Sequence, residues 1–226
     1  MIGSFLFRSA HLFLQPFVET IDKFCSAAIE NHYNLEIATF ADPRILDNKH
    51  EINRFIKTYQ ENLDSFEGIC SLHGPFLDLK VISPDSKIQK VSRQRVDSAL
   101  QIATELDCKY AVFHTGFNPL IRNPSYMSTW AQSNGEFWQK TAEEVPHLII
   151  LLENLWEQTP QPFIDFFSSV TRKNLGFCFD IGHWNVFGKD IPLRTWISEL
   201  KDRMHYCHLN DNQSQRDDEL TLGKTV

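Results

Sequence analysis

Short apolar runs alternate with longer amphipathic ones along the whole chain. "GSFLF" near the N-terminus is followed by a helical pattern starting near Pro16, and "NLEIATF" by one over Lys49 to Leu63. "GICSLHGPF" leads into "SPDSKIQKVSRQRVDSALQIATELD", where Ser83 is placed to cap and Pro84 to open the helix. In that helix Ile88, Val91, Ala99, Leu100, Ala103 and Leu106 recur at helical steps, which predicts one buried face. "YAVFHTGF", "HLIILLEN", "LGFCFDIGH" and "MHYCHLND" read as later strands, each separated from the next by a helical stretch. Strands alternating with helices of this length predict a parallel sheet. No Gly-x-Gly-x-x-Gly follows the first strand, which removes the main support for a dinucleotide-binding fold.

The residue that closes each strand carries the chemistry. Glu36, His73, His114, Glu153, Asp180 and His208 each stand at or beside the C-terminal end of a strand, at intervals of 37, 41, 39, 27 and 28 residues. In a (β/α) barrel these ends open onto one face, where the loops build the active site. Side-chain alternation then sets an expectation about the interior. If Asp180 points inward, Cys178 and Gly176 do so too, while Phe177 and Phe179 face the helices. By the same parity Ile149 and Leu151 lie below Glu153, and Tyr110 and Val112 below His114.

Four of the nine histidines (His73, His114, His183, His208) occur in strand-end motifs beside these carboxylates. A lone histidine of this kind is usually a hydrogen-bonded core residue. Four of them, with Glu153 and Asp180 on one rim, point instead to a metal site. Mixed imidazole and carboxylate ligands suit zinc, manganese or iron, whereas magnesium and calcium prefer oxygen alone. His11, His32, His50, His147 and His205 lack that context and read as surface or packing residues.

Composition narrows the picture further. The chain has 226 residues, 42% of them hydrophobic, with no linker or break, so a single domain over 1–226 is expected. A net charge of −7 disfavours nucleic acid, because no broad basic face is available for phosphates. No apolar run approaches the roughly 18 residues of a membrane span. The apolar start carries Arg8 and His11 early and lacks a small-residue cleavage site, which argues against a signal peptide. Five scattered cysteines without a Cys-x-x-Cys fit buried thiols in a reduced, cytoplasmic protein.

Taken in order, "HGPF", "RQRVDSALQIATELDCKYAVFHTGF", "LLEN", "FDIGH" and "CHLNDNQSQRDDELTLGK" resemble the xylose isomerase-like TIM barrels, the superfamily of endonuclease IV and many sugar isomerases and epimerases. The resemblance runs over nearly the whole chain and implies an α/β fold of (β/α)8 type. Strand eight and its helix would need on the order of 30–40 more residues, so the eighth unit is expected to be lacking here. An endonuclease IV-like pattern would put His73 and His114 on one metal, with Glu153 bridging to a second. Asp180 and His208 would hold the second ion, and His183 and Asp217 a third. Glu219 stands where the pattern has a histidine.

Two chemistries fit this rim. The first is multi-metal hydrolysis of a phosphoester in a sugar-phosphate or nucleotide-like substrate, with Glu153, Asp180 and His208 at the reacting centre. It gives His73 and His114 a role. The second is isomerisation or epimerisation of a sugar or sugar phosphate around one divalent ion. Zinc is the first expectation for the metal, ahead of manganese, iron, cobalt or magnesium. Glu36, Trp156, Glu157 and Trp184 are candidate substrate contacts; Phe117 also sits above the rim, and plain loop packing competes for the aromatic residues. A non-catalytic ligand-binding barrel is the reading from a different class. Oligomeric state is not legible.

Overall fold

The computed structural model describes residues 12–16, 20–121, 123–218, 220 and 223. The "GSFLF" run lies outside the described residues. The first described strand, β1, is Phe13–Leu14, and it is followed by helix α1, Ile21–Asn31. Phe13 and Leu14 pair in parallel with Asn34 and Leu35, which keeps this stretch extended and moves the helix start well past Pro16.

The remaining elements follow as β2 (Asn34–Ile37), α2 (Pro43–Leu46), α3 (Lys49–Leu63), β3 (Cys70–His73), α4 (Ser86–Glu105), β4 (Tyr110–His114) and α5 (Pro124–Glu144). Then come β5 (Ile149–Glu153), α6 (Gln161–Ser168), β6 (Leu175–Asp180), α7 (Ile181–His183), a π-type turn at Trp184–Gly188, α8 (Leu193–Leu200) and β7 (Met204–His208). Asn48 starts α3 by accepting from the His50 and Glu51 N–H groups at 3.1 and 3.3 Å, satisfying donors that a helix start leaves unpaired.

Helix α4 corrects two expectations. Its cap is Asp85, which accepts from the Lys87 and Ile88 N–H groups at 2.8 and 3.3 Å, while the Ser83 hydroxyl accepts from Asp85 N–H. A carboxylate two residues on holds the helix start better than Ser83 can. Ile88 and Val91 are exposed, and burial begins at Ser92. The 20-residue helix is about 30 Å long. The strands beneath it have only four or five residues, so its first turns overhang the sheet.

The seven parallel strands pair in chain order, β1 to β7, forming a barrel-like sheet open between β1 and β7 among the described residues. Among the described residues this is a TIM-barrel sheet with seven of its eight strands. Across the open seam the rings of Phe13 and Tyr206 still meet, at 4.9 Å between centroids. The side-chain parity is as expected. Val112, Leu151, Cys178 and Tyr206 form an interior column with Phe13, Tyr110 and Ile149 against it. Phe177 and Phe179 lie outside, in the larger core shared with the helices. Four cysteines are buried; Cys207 is exposed on β7, and all five are free thiols.

Register delivers the site. His114 stands opposite Glu153 across β4 and β5, and Asp180 opposite His208 across β6 and β7. Among the described residues no helix is long and apolar enough to cross a membrane.

Phe177 is fully buried and packs on Phe163, with ring centroids 4.6 Å apart. Phe177→Ala should lower stability by about 3–5 kcal/mol. Urea unfolding should show it as a lower midpoint at unchanged slope. A loss under about 1 kcal/mol would contradict this packing.

Candidate metal centre

Glu153 closes β5 and is 1% exposed. Its Oε2 faces His73 Nε2 at 3.2 Å and His114 Nε2 at 3.0 Å, from the ends of β3 and β4. Its Oε1 faces His208 Nδ1 at 2.8 Å, from the end of β7, and His183 Nδ1 at 3.4 Å, from α7. Four imidazoles from four segments therefore converge on one buried carboxylate, two on each oxygen.

Each ring except one is fixed by its far nitrogen. His73 Nδ1 donates to the Gly74 carbonyl at 2.9 Å, which turns Nε2 toward the centre as the nitrogen that can bind a cation once deprotonated. His208 Nε2 contacts Glu36 at 3.0 Å, so its Nδ1 is the free nitrogen. This is the carboxylate–imidazole arrangement that orients metal-binding histidines. His183 Nδ1 donates to the Asn154 carbonyl at 2.7 Å, and Nε2 meets Asp217 Oδ2 at 3.1 Å. His114 Nδ1 is buried with no hydrogen-bond partner among the described residues.

Asp180 caps the three-residue α7: its Oδ1 accepts from His183 N–H at 2.6 Å. Its Oδ2 accepts from Asn210 at 2.9 Å and lies 3.7 Å from His208 Nδ1. The Asn154 side chain clamps the Asp180 backbone on both sides, donating to its carbonyl and accepting from its N–H. The segment after β7 folds back through an antiparallel bridge between Asp211 and Leu220, which carries Asp217 over the site. Asn212 ties this segment to α7 by donating to the Gly182 carbonyl at 2.9 Å. A Cβ at Gly182 would stand 1.7 Å from Asn210 Oδ1, so any larger residue there would push the Asn210 side chain off Asp180.

Two groups of side chains offer ligand atoms within 4.8 Å of one another: His73, Glu153 and His208, and Glu153, Asp180 and His183. They share Glu153. The donor set of imidazole nitrogen and carboxylate oxygen fits zinc, manganese or iron. His114 lies on the Oε2 side of Glu153, and Asp217 lies beyond His183. Glu219 lies outside the described residues.

The candidate substrate contacts separate into two sets. Trp156 is 42% exposed on the cleft wall, its ring 4.6 Å from that of Phe187. Trp184 instead packs toward the core and donates to the Ile191 carbonyl at 3.0 Å. Glu157 is buried off the cleft, where it accepts from the Thr115 hydroxyl and from Leu155 N–H. Glu36 lines the cleft, yet its carboxylate is engaged by His208 and by the Ser71 hydroxyl at 3.3 Å. Phe117 is buried, edge-on to Trp130.

Electrostatics follow from this crowding. Burial disfavours the charged form of Glu153, but the imidazoles of His208 and His114 outweigh it and hold the carboxyl well below its usual range. Burial, with the charge of Glu153, raises Asp180 to about 6. Burial pulls His183 down, yet its bonds to Asp217 and Glu153 and the charge of Asp180 win and raise it to about 11. His208 is also raised, burial being outweighed by its anionic surroundings, Glu36 and Glu153 among them. His114 is lowered, chiefly by burial. The cluster of Glu36, Glu153, Asp180 and Asp217 thus demands positive charge, which protons or divalent ions supply.

With this geometry in hand, the relatives are informative. The chain belongs to the xylose isomerase-like TIM barrel family, whose model matches residues 27–225. It is 28% identical over 177 residues to the uncharacterised protein MJ1311 of Methanocaldococcus jannaschii, covering 75% of this chain and 60% of that one. The chain spans 60% and 64% of the lengths of two curated relatives it matches. Among solved structures it is similar to the TTHB071 protein of Thermus thermophilus soaked with zinc chloride. The identity is 25% and the TM-score 0.76, over 96% of this chain and 83% of that one. A D-tagatose 3-epimerase-like protein gives 25% and 0.75, over 96% and 82%. Endonuclease IV of Thermus thermophilus shares the fold at 15% identity and a TM-score of 0.63, over 95% and 82%.

Sequence reading had no signal for Asn154, Asn210, Asn212 and Ser71 as builders of the site. The "EN" and "HLNDN" strings hold three of them. Their role emerges only once β5, β6 and β7 lie side by side.

Two outcomes are expected. Glu36→Ala should weaken metal binding about 10–100-fold by freeing the His208 ring; calorimetric titration with zinc would check this, and unchanged affinity would contradict it. Ligands held protonated by their surroundings must lose protons to bind a cation, so apparent metal affinity should fall as pH drops through about 6, where Asp180 takes up a proton. Metal affinity independent of pH would rule that out.

Proposed function

We propose that this chain is a divalent-metal-dependent hydrolase acting on a small phosphoester, such as a sugar phosphate or nucleotide-like compound. One observation carries the reading: both oxygens of Glu153 are faced by imidazole nitrogens, His73 and His114 at Oε2 and His208 at Oε1, while His183 donates from Nδ1 to the Asn154 carbonyl and turns Nε2 to Asp217 as a further ligand. A site built for a single ion has no use for that many nitrogen ligands. Zinc is the first candidate, with manganese, iron, cobalt or magnesium as alternatives. When bound, such ions stabilise charge on a phosphoryl group and lower the pKa of water.

The residues of the chain hold and orient this centre. Glu153 bridges the two groups, Asp180 and His208 complete them, and His73 and His114 serve the Oε2 side. His183 and Asp217 offer a further position beside Asp180. Glu36 and Asn154 fix the rings and backbone that carry these ligands. The zinc-soaked relative supports a metal-binding role, and endonuclease IV shares the fold.

A second reading is isomerisation or epimerisation of a sugar around one ion. Likeness to the D-tagatose 3-epimerase-like protein at 25% identity favours it. Nucleic acid fits neither reading well. Net charge is −7, and the cleft's lysine and arginine residues are Lys80 and Arg44, the latter engaged by Asp42.

Elemental analysis of protein purified without added metal should find at least two equivalents per chain. His114→Ala should lose one ion and about 100-fold or more in phosphoester turnover. One weakly held ion with activity on a ketose panel would replace the hydrolase with the isomerase. Loss of neither ion nor activity on His114→Ala would refute the hydrolase centre.

A further inference from the structure

The mouth of the metal centre is apolar. Each strand from β3 to β7 is followed by a loop that places a large hydrophobic residue on the cleft. Leu77, Leu120 and Leu209 are 58%, 88% and 57% exposed, and Phe76 is 39% exposed. The Trp156–Phe187 pair completes the circuit. The collar touches the centre directly: the Phe76 ring lies 5.5 Å from that of His73 and 5.1 Å from that of His114. Exposed apolar surface gathered in one place is uncommon on a soluble protein and marks a binding surface, whereas scattered leucines mean nothing.

Whatever is held at Glu153 must therefore project the rest of itself between these side chains. The three most exposed members are leucines, which offer a sugar no hydrogen bond, and the rings of Phe76, Trp156 and Phe187 beside them suit an aryl group. A polyanion would find Lys80 and Arg44, with Arg44 tied to Asp42 at 3.0 and 3.1 Å through Nε.

We infer that the substrate is amphipathic, with a compact anionic head for the metal centre and an apolar alkyl or aryl body for the collar formed by Phe76, Leu77, Leu120, Trp156 and Leu209. The inference rests on the metal-centred reading above and names its substrate class. Preference should come from area removed from water, each buried methylene adding to affinity.

Calorimetric titration of the zinc-loaded full chain with methylphosphonate, n-butylphosphonate and phenylphosphonate tests it. The butyl and phenyl compounds should bind about tenfold tighter or more than the methyl compound. Leu77→Ser combined with Leu120→Ser should abolish that preference while leaving methylphosphonate affinity and zinc content unchanged. Both positions are exposed, so folding should be preserved. Equal binding of all three phosphonates, or no binding of any, overturns the inference. So does a double variant that keeps the preference, or one whose main effect is to dissociate a dimer in sedimentation, which would make the collar a contact between copies. The two readings fail separately: phosphoester turnover indifferent to the apolar group sinks the amphipathic substrate alone. An apolar preference in binding without phosphoester turnover sinks the hydrolase alone.

Discussion

One buried carboxylate organises this molecule. Glu153 sits at the end of a central strand with almost no access to water, and an ionised carboxylate there is tolerable only if positive charge surrounds it. His73, His183 and His208, all shifted upward, meet that demand from three segments, and His114 adds a ring nitrogen whose charge burial disfavours. Every other polar feature of the rim answers to this constraint. Glu36 and the Gly74 and Asn154 carbonyls hold ring nitrogens in place, and Asn210 holds the outer oxygen of Asp180. Paired groups of this kind are expensive to break singly, which explains why a dense hydrogen-bond network rather than packing finishes the site.

Beneath the polar layer the barrel is ordinary apolar packing. Val112, Leu151, Cys178 and Tyr206 fill the interior, and Phe13 meets Tyr206 across the seam where β1 and β7 do not pair among the described residues. Apolar packing below and apolar side chains above lower the effective dielectric around the charged cluster, so electrostatic interactions there act at greater strength than in water. The inferred substrate class depends on that contrast between a polar belt and its apolar neighbours.

Much of this was legible in the residues themselves. Alternation of apolar runs with amphipathic helices predicted a parallel sheet, the resemblance to xylose isomerase-like barrels implied the barrel, and strand parity placed Cys178 inside and Phe177 outside. The candidate ligands stood out because chemistry-bearing residues closed successive strands. What was hidden depended on contacts between distant segments. Asn154 acts through the backbone of Asp180, 26 residues away, and nothing local to "LLEN" reveals it. Glu157 and Trp184 look like rim residues in sequence, but the turns after β5 and β6 rotate them toward Thr115 and Ile191. Ile88 and Val91 carry the right helical spacing, yet a helix longer than the strands beneath it leaves its first turns without a surface to cover.

The parallel register has a further meaning. His114 faces Glu153, and Asp180 faces His208, as hydrogen-bonded neighbours on adjoining strands. Their separation is therefore set by the roughly 4.8 Å repeat between strands, a backbone lattice constant that side-chain substitution leaves untouched. Exchanging one ligand type for another at these positions retunes which ion or reaction the rim suits while the spacing stays fixed. A scaffold of this kind behaves as a ruler with interchangeable marks.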